Sequence, residues 1–152
     1  MEPFLAAHGY PALFLLSFLA STLLPLGSEW LLALMLIKHY DPSLTVAVAT
    51  LGNTLGACTT WMIGHYGGPF LIRRVLRIDA AAEASAERLY RKYGAWSLLF
   101  SWLPLIGDPL CLLGGILRVD LGRFILLVSI GKLARYAFVA WATLQGLQIF
   151  KP

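Results

Sequence analysis

The chain has 152 residues, of which 59% are hydrophobic and only 13% charged, with a formal net charge of +4 and a mean hydropathy of +0.73. A soluble domain carries about 25% charged residues, so this composition excludes an ordinary soluble domain and points to an all-α integral membrane protein of one bundle, residues 1–152. The basic excess is small and largely gathered between apolar runs, where it speaks for membrane topology; no nucleic-acid partner is expected.

In chain order, the N-terminus lacks a basic region ahead of its first apolar run, and that run ends at an acid, so no cleavable leader is expected. Residues 10–24 are apolar, but at 1.5 Å per residue they reach only about 22 Å, short of a hydrocarbon core of about 30 Å. Pro25-Leu26-Gly27-Ser28-Glu29 interrupts them, and a second short run, Trp30–Ile37, follows. Residues 10–37 fit either one broken crossing helix or a re-entrant hairpin with Glu29 near its tip. After a polar loop at 38–42, residues 43–66 read as a spanning helix. At its centre Gly52 and Gly56 form a small-xxx-small pair that lets another backbone approach, and Asn53, Thr59 and Thr60 add a polar stripe.

Residues 68–92 are the main extramembrane segment. Arg73, Arg74 and Arg77 cluster there, and Asp79 is placed as the N-cap of an alanine-rich helix over 80–93, on which Glu87 and Arg91 are spaced for an i,i+4 pair. Residues 95–117 repeat the opening pattern, with the break at Pro104-Leu105-Ile106-Gly107-Asp108-Pro109. Residues 121–150 read as the last spanning helix and carry Lys132 and Arg135 about 17–21 Å along it, near the midplane. Cys58 and Cys111 lie in apolar runs, with no paired-cysteine motif and no metal-ligand spacing, so they read as buried reduced thiols. His8, His39 and His65 read as interfacial. No metal or cofactor is expected, and without a nucleophile–base pair or a phosphatase-like motif an enzyme is not expected.

The two breaks share a design. Pro25 and Pro104, Glu29 and Asp108, Gly52 and Gly131, and Gly67 and Gly146 are all separated by the same offset of 79 positions. Upstream, residues 8–17 resemble 93–101 with a slightly larger offset. Two copies of hairpin plus one spanning helix, about 8–67 and 93–146, would run in opposite directions, the inverted-repeat plan of many transporters. With re-entrant hairpins, the side holding 68–92 carries eight Lys/Arg (73, 74, 77, 88, 91, 92, 118, 123) against Lys38 and Lys151; with crossing hairpins the split is seven to three. Either way 68–92 is expected in the cytoplasm.

Interrupted backbone and isolated charge are costly in hydrocarbon and survive where they are buried in protein or line a wet cavity. Glu29, Asp108, Lys132 and Arg135 therefore form the candidate site. Their formal charges cancel, which fits structural pairing, yet such pairs are a poor route to stability. Embedded acids can carry protons, and a Lys/Arg pair suits a phosphate-like anion. The expected roles are proton coupling or gating for Glu29 and Asp108, and anionic headgroup binding for Lys132 and Arg135. Pro25, Gly27, Pro104, Gly107 and Pro109 shape the breaks, and Gly52 and Gly56 serve helix packing.

At these residues the sequence resembles the YqaA branch of the DedA family, within the VTT or "SNARE-associated" superfamily. The resemblance is carried by Ser101-Trp-Leu-Pro104-Leu-Ile-Gly107-Asp108-Pro109 with Gly114-Gly115-Ile-Leu-Arg118, by Pro25-Leu-Gly-Ser-Glu29, and by Gly52-Asn-Thr-Leu-Gly56 with Gly64-His-Tyr-Gly67-Gly68. It covers residues 10–146. It implies a multi-pass protein of the bacterial inner membrane with two facing re-entrant hairpins, linked to transbilayer movement of polyprenyl phosphate or phospholipid and to the proton motive force. Its embedded acids and bases map onto Glu29, Asp108, Lys132 and Arg135. Larger members carry an arginine where this chain has Gly107. The expectation is a carrier that moves an anionic lipid or lipid phosphate between leaflets as a homodimer, with protons as the coupling ion. A non-transporting membrane-homeostasis scaffold and a proton-coupled ion or solute antiporter are the alternatives.

Overall fold

The computed structural model describes residues 2–21, 28–67, 80–103 and 106–149. Pro25, Gly27, Pro104, the arginines at 73, 74 and 77 and the cap expected at Asp79 lie outside them. Every element among the described residues is helical: α1 (Glu2–Ala20), α2 (Ser28–Ile37), α3 (Pro42–Tyr66), α4 (Ala80–Tyr93), a 3₁₀ segment (Gly94–Trp102), α5 (Gly107–Ile116) and α6 (Leu121–Ile149). At 25 and 29 residues, α3 and α6 are long and apolar enough to cross a bilayer. Large apolar side chains on their outer faces, such as Leu51, Met62, Leu126 and Trp141, are exposed, which suits hydrocarbon and not water.

The offset of 79 governs the local structure as well. α2 and α5 begin and end at equivalent residues, and both close with the same C-terminal turn. In α2, His39 adopts φ 63°, with Tyr40 N bonded to Met35 O at 3.1 Å and His39 N to Leu36 O at 3.0 Å. In α5, Arg118 adopts φ 55°, with Val119 N bonded to Gly114 O at 2.9 Å and Arg118 N to Gly115 O at 3.0 Å. Both are Schellman closures that satisfy the last carbonyls of a helix. The spanning helices then start alike: Asp41 Oδ1 accepts from Leu44 N at 2.7 Å, and Asp120 Oδ2 accepts from Arg123 N at 3.1 Å. Each caps one orphan amide of the first turn.

Packing follows the same exchange in both halves. The first arm of each half lies on its own spanning helix, α1 on α3 and the 3₁₀ segment on α6. The second arm crosses to the other half, α2 onto α6 and α5 onto α3. Glycines permit the closest approaches. A Cβ at Gly52 would sit 2.5 Å from the Phe14 carbonyl oxygen, and one at Gly131 would sit 2.6 Å from that of Leu99. Two apolar cores result. One holds Leu13, Leu32, Met35 and Ala49; the other holds Leu98, Leu110, Phe124 and Val128. α4 seals the second core with its buried Ala86 and half-buried Leu89 and Tyr90, while the Glu87–Arg91 pair at 2.7 Å stays on its exposed side.

Candidate functional site

Lys132 lies in α6 where α3 and α6 face one another, and it is 4% exposed. A buried ammonium needs acceptors to offset its lost hydration. It has two: Nζ donates to Ser21 Oγ at 2.9 Å and to Asn53 Oδ1. Because an ammonium only donates, the Asn53 oxygen must face it, which turns the amide nitrogen away. That nitrogen donates to Tyr136 Oη at 2.6 Å, and Tyr136 Oη shares a 2.8 Å hydrogen bond with Ser28 Oγ. On the other side Ser21 Oγ donates to Asp108 Oδ1 at 3.4 Å. Thr60 Oγ1 holds the carbonyl of Ser21 at 3.3 Å where α1 ends. The result is one polar chain, Asp108–Ser21–Lys132–Asn53–Tyr136–Ser28, that ties α5, α3, α6, α2 and the end of α1 together. Asn53 and Lys132 are themselves 79 residues apart, so the two spanning helices meet at equivalent positions.

Arg135 belongs to a second, separate set. Its Nε pairs with Glu29 Oε1 at the start of α2, and its Nη1 donates to the Trp102 carbonyl at 3.1 Å. The side chains of Arg135 and Glu29 are 19% and 29% exposed, so this pair sits at the rim of the bundle. Beside it lies a cavity of about 270 Å³ lined by Trp102, Ala134, Arg135 and Phe138. Lys132 and Arg135 share no hydrogen-bond partner among the described residues, and only Arg135 borders this cavity.

The remaining sequence-derived residues fall around these two sets. Glu29 and Asp108 stand in the first turns of α2 and α5. Pro109 is buried in α5, and Gly107 is packed so closely that a Cβ there would collide with the Ser101 carbonyl. Gly52 and Gly56 line the α1 contact. Cys58 is half-buried and Cys111 buried, both as free thiols. Among the described residues no group of three or more His, Cys, Asp or Glu side chains gathers as a metal site would require.

Sequence reasoning missed Ser21, Ser28 and Tyr136, and placed Asn53 only in a general polar stripe. Asn53 had a usable signal, since the repeat offset carries it onto Lys132. The two serines and the tyrosine had none, because a lone hydroxyl in an apolar run is common and its partner depends on tertiary packing.

The model of the VTT domain family matches residues 3–144, nearly the whole chain. The chain belongs to the VTT domain family. It is 42% identical over 137 residues to the inner membrane protein YqaA of Escherichia coli (strain K12), a DedA family member, covering 90% of this chain and 92% of that one. It is also 31% identical over 141 residues to a protein of Haemophilus influenzae (88% and 86% covered), and 26% identical over 139 residues to the membrane protein YbfM of Bacillus subtilis (86% of each). No solved structure matches it. As a VTT protein the chain is a membrane protein, and the name of the Escherichia coli relative supports a location in the bacterial inner membrane.

In VTT terms, the site offers two kinds of chemistry. The Lys132 chain is a continuous line of donors and acceptors through an apolar interior, ending at Asp108 and Ser28. The Arg135–Glu29 set is a guanidinium fork, suited to a planar or tetrahedral oxyanion, held by a carboxylate at the mouth of a cavity.

Proposed function

We propose that this VTT protein is an inverted-repeat carrier that moves an anionic lipid or lipid phosphate between bilayer leaflets, with Glu29 and Asp108 as gating or proton-carrying groups. The observation that carries the reading is the burial of Lys132 in a polar chain joining α2, α5 and the end of α1 to both spanning helices. A bilayer protein gains little stability from a buried charge, so such a chain is better explained by a moving anion or proton. The exchange of second arms between halves supports an inverted repeat of residues 8–67 and 93–146 with re-entrant breaks. The basic segment 68–92 is assigned to the cytoplasm by its charge. Two spanning helices enclose little alone, which supports a homodimer.

The test is reconstitution in liposomes, following transbilayer movement of a short-chain polyprenyl phosphate with and without a pH gradient. Movement by the wild type, enhanced by the gradient and lost in Glu29→Gln and Lys132→Ala, is the expected result. No movement of any anionic lipid by folded protein would sink the reading. The Glu29–Arg135 pair favours one rival, a scaffold in which the charges only pair. In that case the swap Glu29→Arg with Arg135→Glu restores function; a carrier that needs each charge in place does not recover.

A further inference from the structure

The seam between α3 and α6 is crossed at its middle by the Asn53–Lys132 contact, and its two ends are filled differently. Toward the end of α3, Trp61 is buried against Phe124 of α6, with ring centroids 6.1 Å apart, and stacks on His65 at 4.7 Å. The offset of 79 carries Trp61 onto Ala140 and His65 onto Leu144, and it carries Thr45 onto Phe124. Two large rings at one end of the seam are therefore a methyl group and a small hydroxyl side chain at the other. Protein interiors are close-packed and leave few voids, yet a groove of about 450 Å³ follows the seam here. Ala47 of α3 and Ala137, Ala140 and Leu144 of α6 are among its walls. Trp141 lines it as well, exposed, with its ring centroid 6.0 Å from that of Phe138.

We propose that this groove is the contact surface between two copies of the chain in the membrane, with Trp141 of each copy entering the groove of the other. The proposal rests on the homodimer of the carrier reading and adds which faces meet. Shape is the first argument. The equivalent place in the other half takes an indole, Trp61, and here the chain leaves the place empty and stands an exposed indole beside it. Depth is the second. Two copies inserted in the same orientation are related by a two-fold axis along the membrane normal, so a patch meets itself and only residues at one depth touch. Trp141, Ala137, Ala140 and Leu144 lie within about two turns of one helix, so knob and hole share a depth. Close approach is the third. Ala47, Ala137 and Ala140 are the small residues that let helices from two copies pack in lipid. None of the residues lining the groove is charged, so closing it strands no charge. Arg135 and its cavity are not part of this surface.

The experiment counts copies per vesicle by photobleaching as the labelled full chain is diluted into lipid. The wild type is expected to pair. Trp141→Ala, which removes the knob, and Ala47→Trp, which fills the hole, should each raise the protein density needed for half-pairing roughly tenfold or more. Met62→Ala changes the repeat counterpart of Trp141, exposed at the filled end of the seam, and should leave pairing unchanged. The decisive sample is a mixture of the Trp141→Ala and Ala47→Trp chains. A mixed pair seats the tryptophan of one chain in the empty groove of the other, and sets the filled groove against the chain without a knob. Mixed pairs should therefore form roughly tenfold or more readily than pairs of either variant alone. Thermal unfolding establishes that each variant is folded, and should one fail to fold, the other decides against the wild type. A wild type that stays single at every density, wild-type pairing in both folded variants, or a mixture that pairs no better than its components would each overturn the surface. Lipid movement by vesicles holding one copy each overturns the surface and leaves the carrier; the expected pairing without any lipid movement overturns the carrier and leaves the surface.

Discussion

The contact of α1 with α3 and the contact of the 3₁₀ segment with α6 are the same joint built twice, and they are finished differently. Both begin with a glycine under a carbonyl, Gly52 beneath Phe14 and Gly131 beneath Leu99. The first joint then repeats the device with Gly56 and closes. The second substitutes Arg135, which takes the Trp102 carbonyl as acceptor and Glu29 as counter-ion. In a bilayer, where apolar packing between helices has no solvent-driven advantage, close backbone contact is what holds helices together. At the second joint that close contact is replaced by a hydrogen bond and an ion pair.

The largest effect should come from forcing the closed joint open. Gly56→Leu puts a branched side chain where a single Cβ already meets the Phe18 carbonyl and lies 2.8 Å from Ser21 Cβ. A cost of about 3 kcal/mol, or failure to recover folded protein from detergent, is expected. Ser21 moves with it, so the Lys132 chain is disturbed as well. Recovery of Gly56→Leu with a wild-type melting temperature would break the comparison at its root.

Next comes the open joint. Arg135→Ala leaves Glu29 without its cation at 29% side-chain exposure, and the expected loss is about 1–3 kcal/mol. Adding Glu29→Gln should recover a substantial part of that loss, since a neutral amide is cheaper to leave unpaired than a carboxylate. A double-mutant cycle on thermal unfolding reads this coupling. Additive losses would mean that the ion pair contributes nothing beyond its two separate side chains.

These two cases also show how far the sequence could be read. Both spanning helices were legible, because their apolar runs are long enough for a bilayer, and so were the short apolar helices α2 and α5 that follow the expected breaks; Pro25, Gly27 and Pro104 themselves lie outside the described residues. The offset of 79, read from prolines, acids and glycines, also describes helix ends and caps. What could not be read is which charge meets which partner. Lys132 and Arg135, three residues apart, invite a shared role; in the fold the first turns inward to Asn53 and Ser21, and the second turns to Glu29 and the cavity. That split depends on whether the facing arm lies close or stands off. The arm's distance is set by glycines in another helix.

A smaller effect is expected at the far end of the Lys132 chain. Tyr136 Oη accepts from Asn53 at 2.6 Å and is bonded to Ser28 at 2.8 Å, in a side chain that is 1% exposed. Tyr136→Phe keeps the ring and removes the link between α2 and α3. A loss of about 1–2 kcal/mol in urea or thermal unfolding is expected, with the Glu29–Arg135 pair left intact because the two sets share no hydrogen-bond partner among the described residues. A Tyr136→Phe, Arg135→Ala double variant whose loss departs from the sum of the two single losses would show that the sets are one.

The smallest effect separates a true correspondence from an accidental one. Gly67 and Gly146 obey the same offset as the pairs above, yet they do different things. Gly67 ends α3: its N–H bonds to Ile63 O at 2.7 Å, and a Cβ on it would collide with that same carbonyl. Gly146 lies inside α6, three residues before its end at Ile149, with nothing within 4 Å of where a Cβ would stand. A glycine in a helix interior costs up to about 1 kcal/mol relative to alanine. Gly146→Ala should therefore leave the fold unchanged or raise its stability by about 0.5–1 kcal/mol, whereas Gly67→Ala should lower it. Melting temperatures that move in opposite directions would confirm that the halves stop matching where α6 outruns α3, so that the last turns of α6 belong to the second half alone. A loss in Gly146→Ala as large as that in Gly67→Ala would mean instead that the end of α6 is packed against something, which in a bundle of this size is most simply a second copy of the chain.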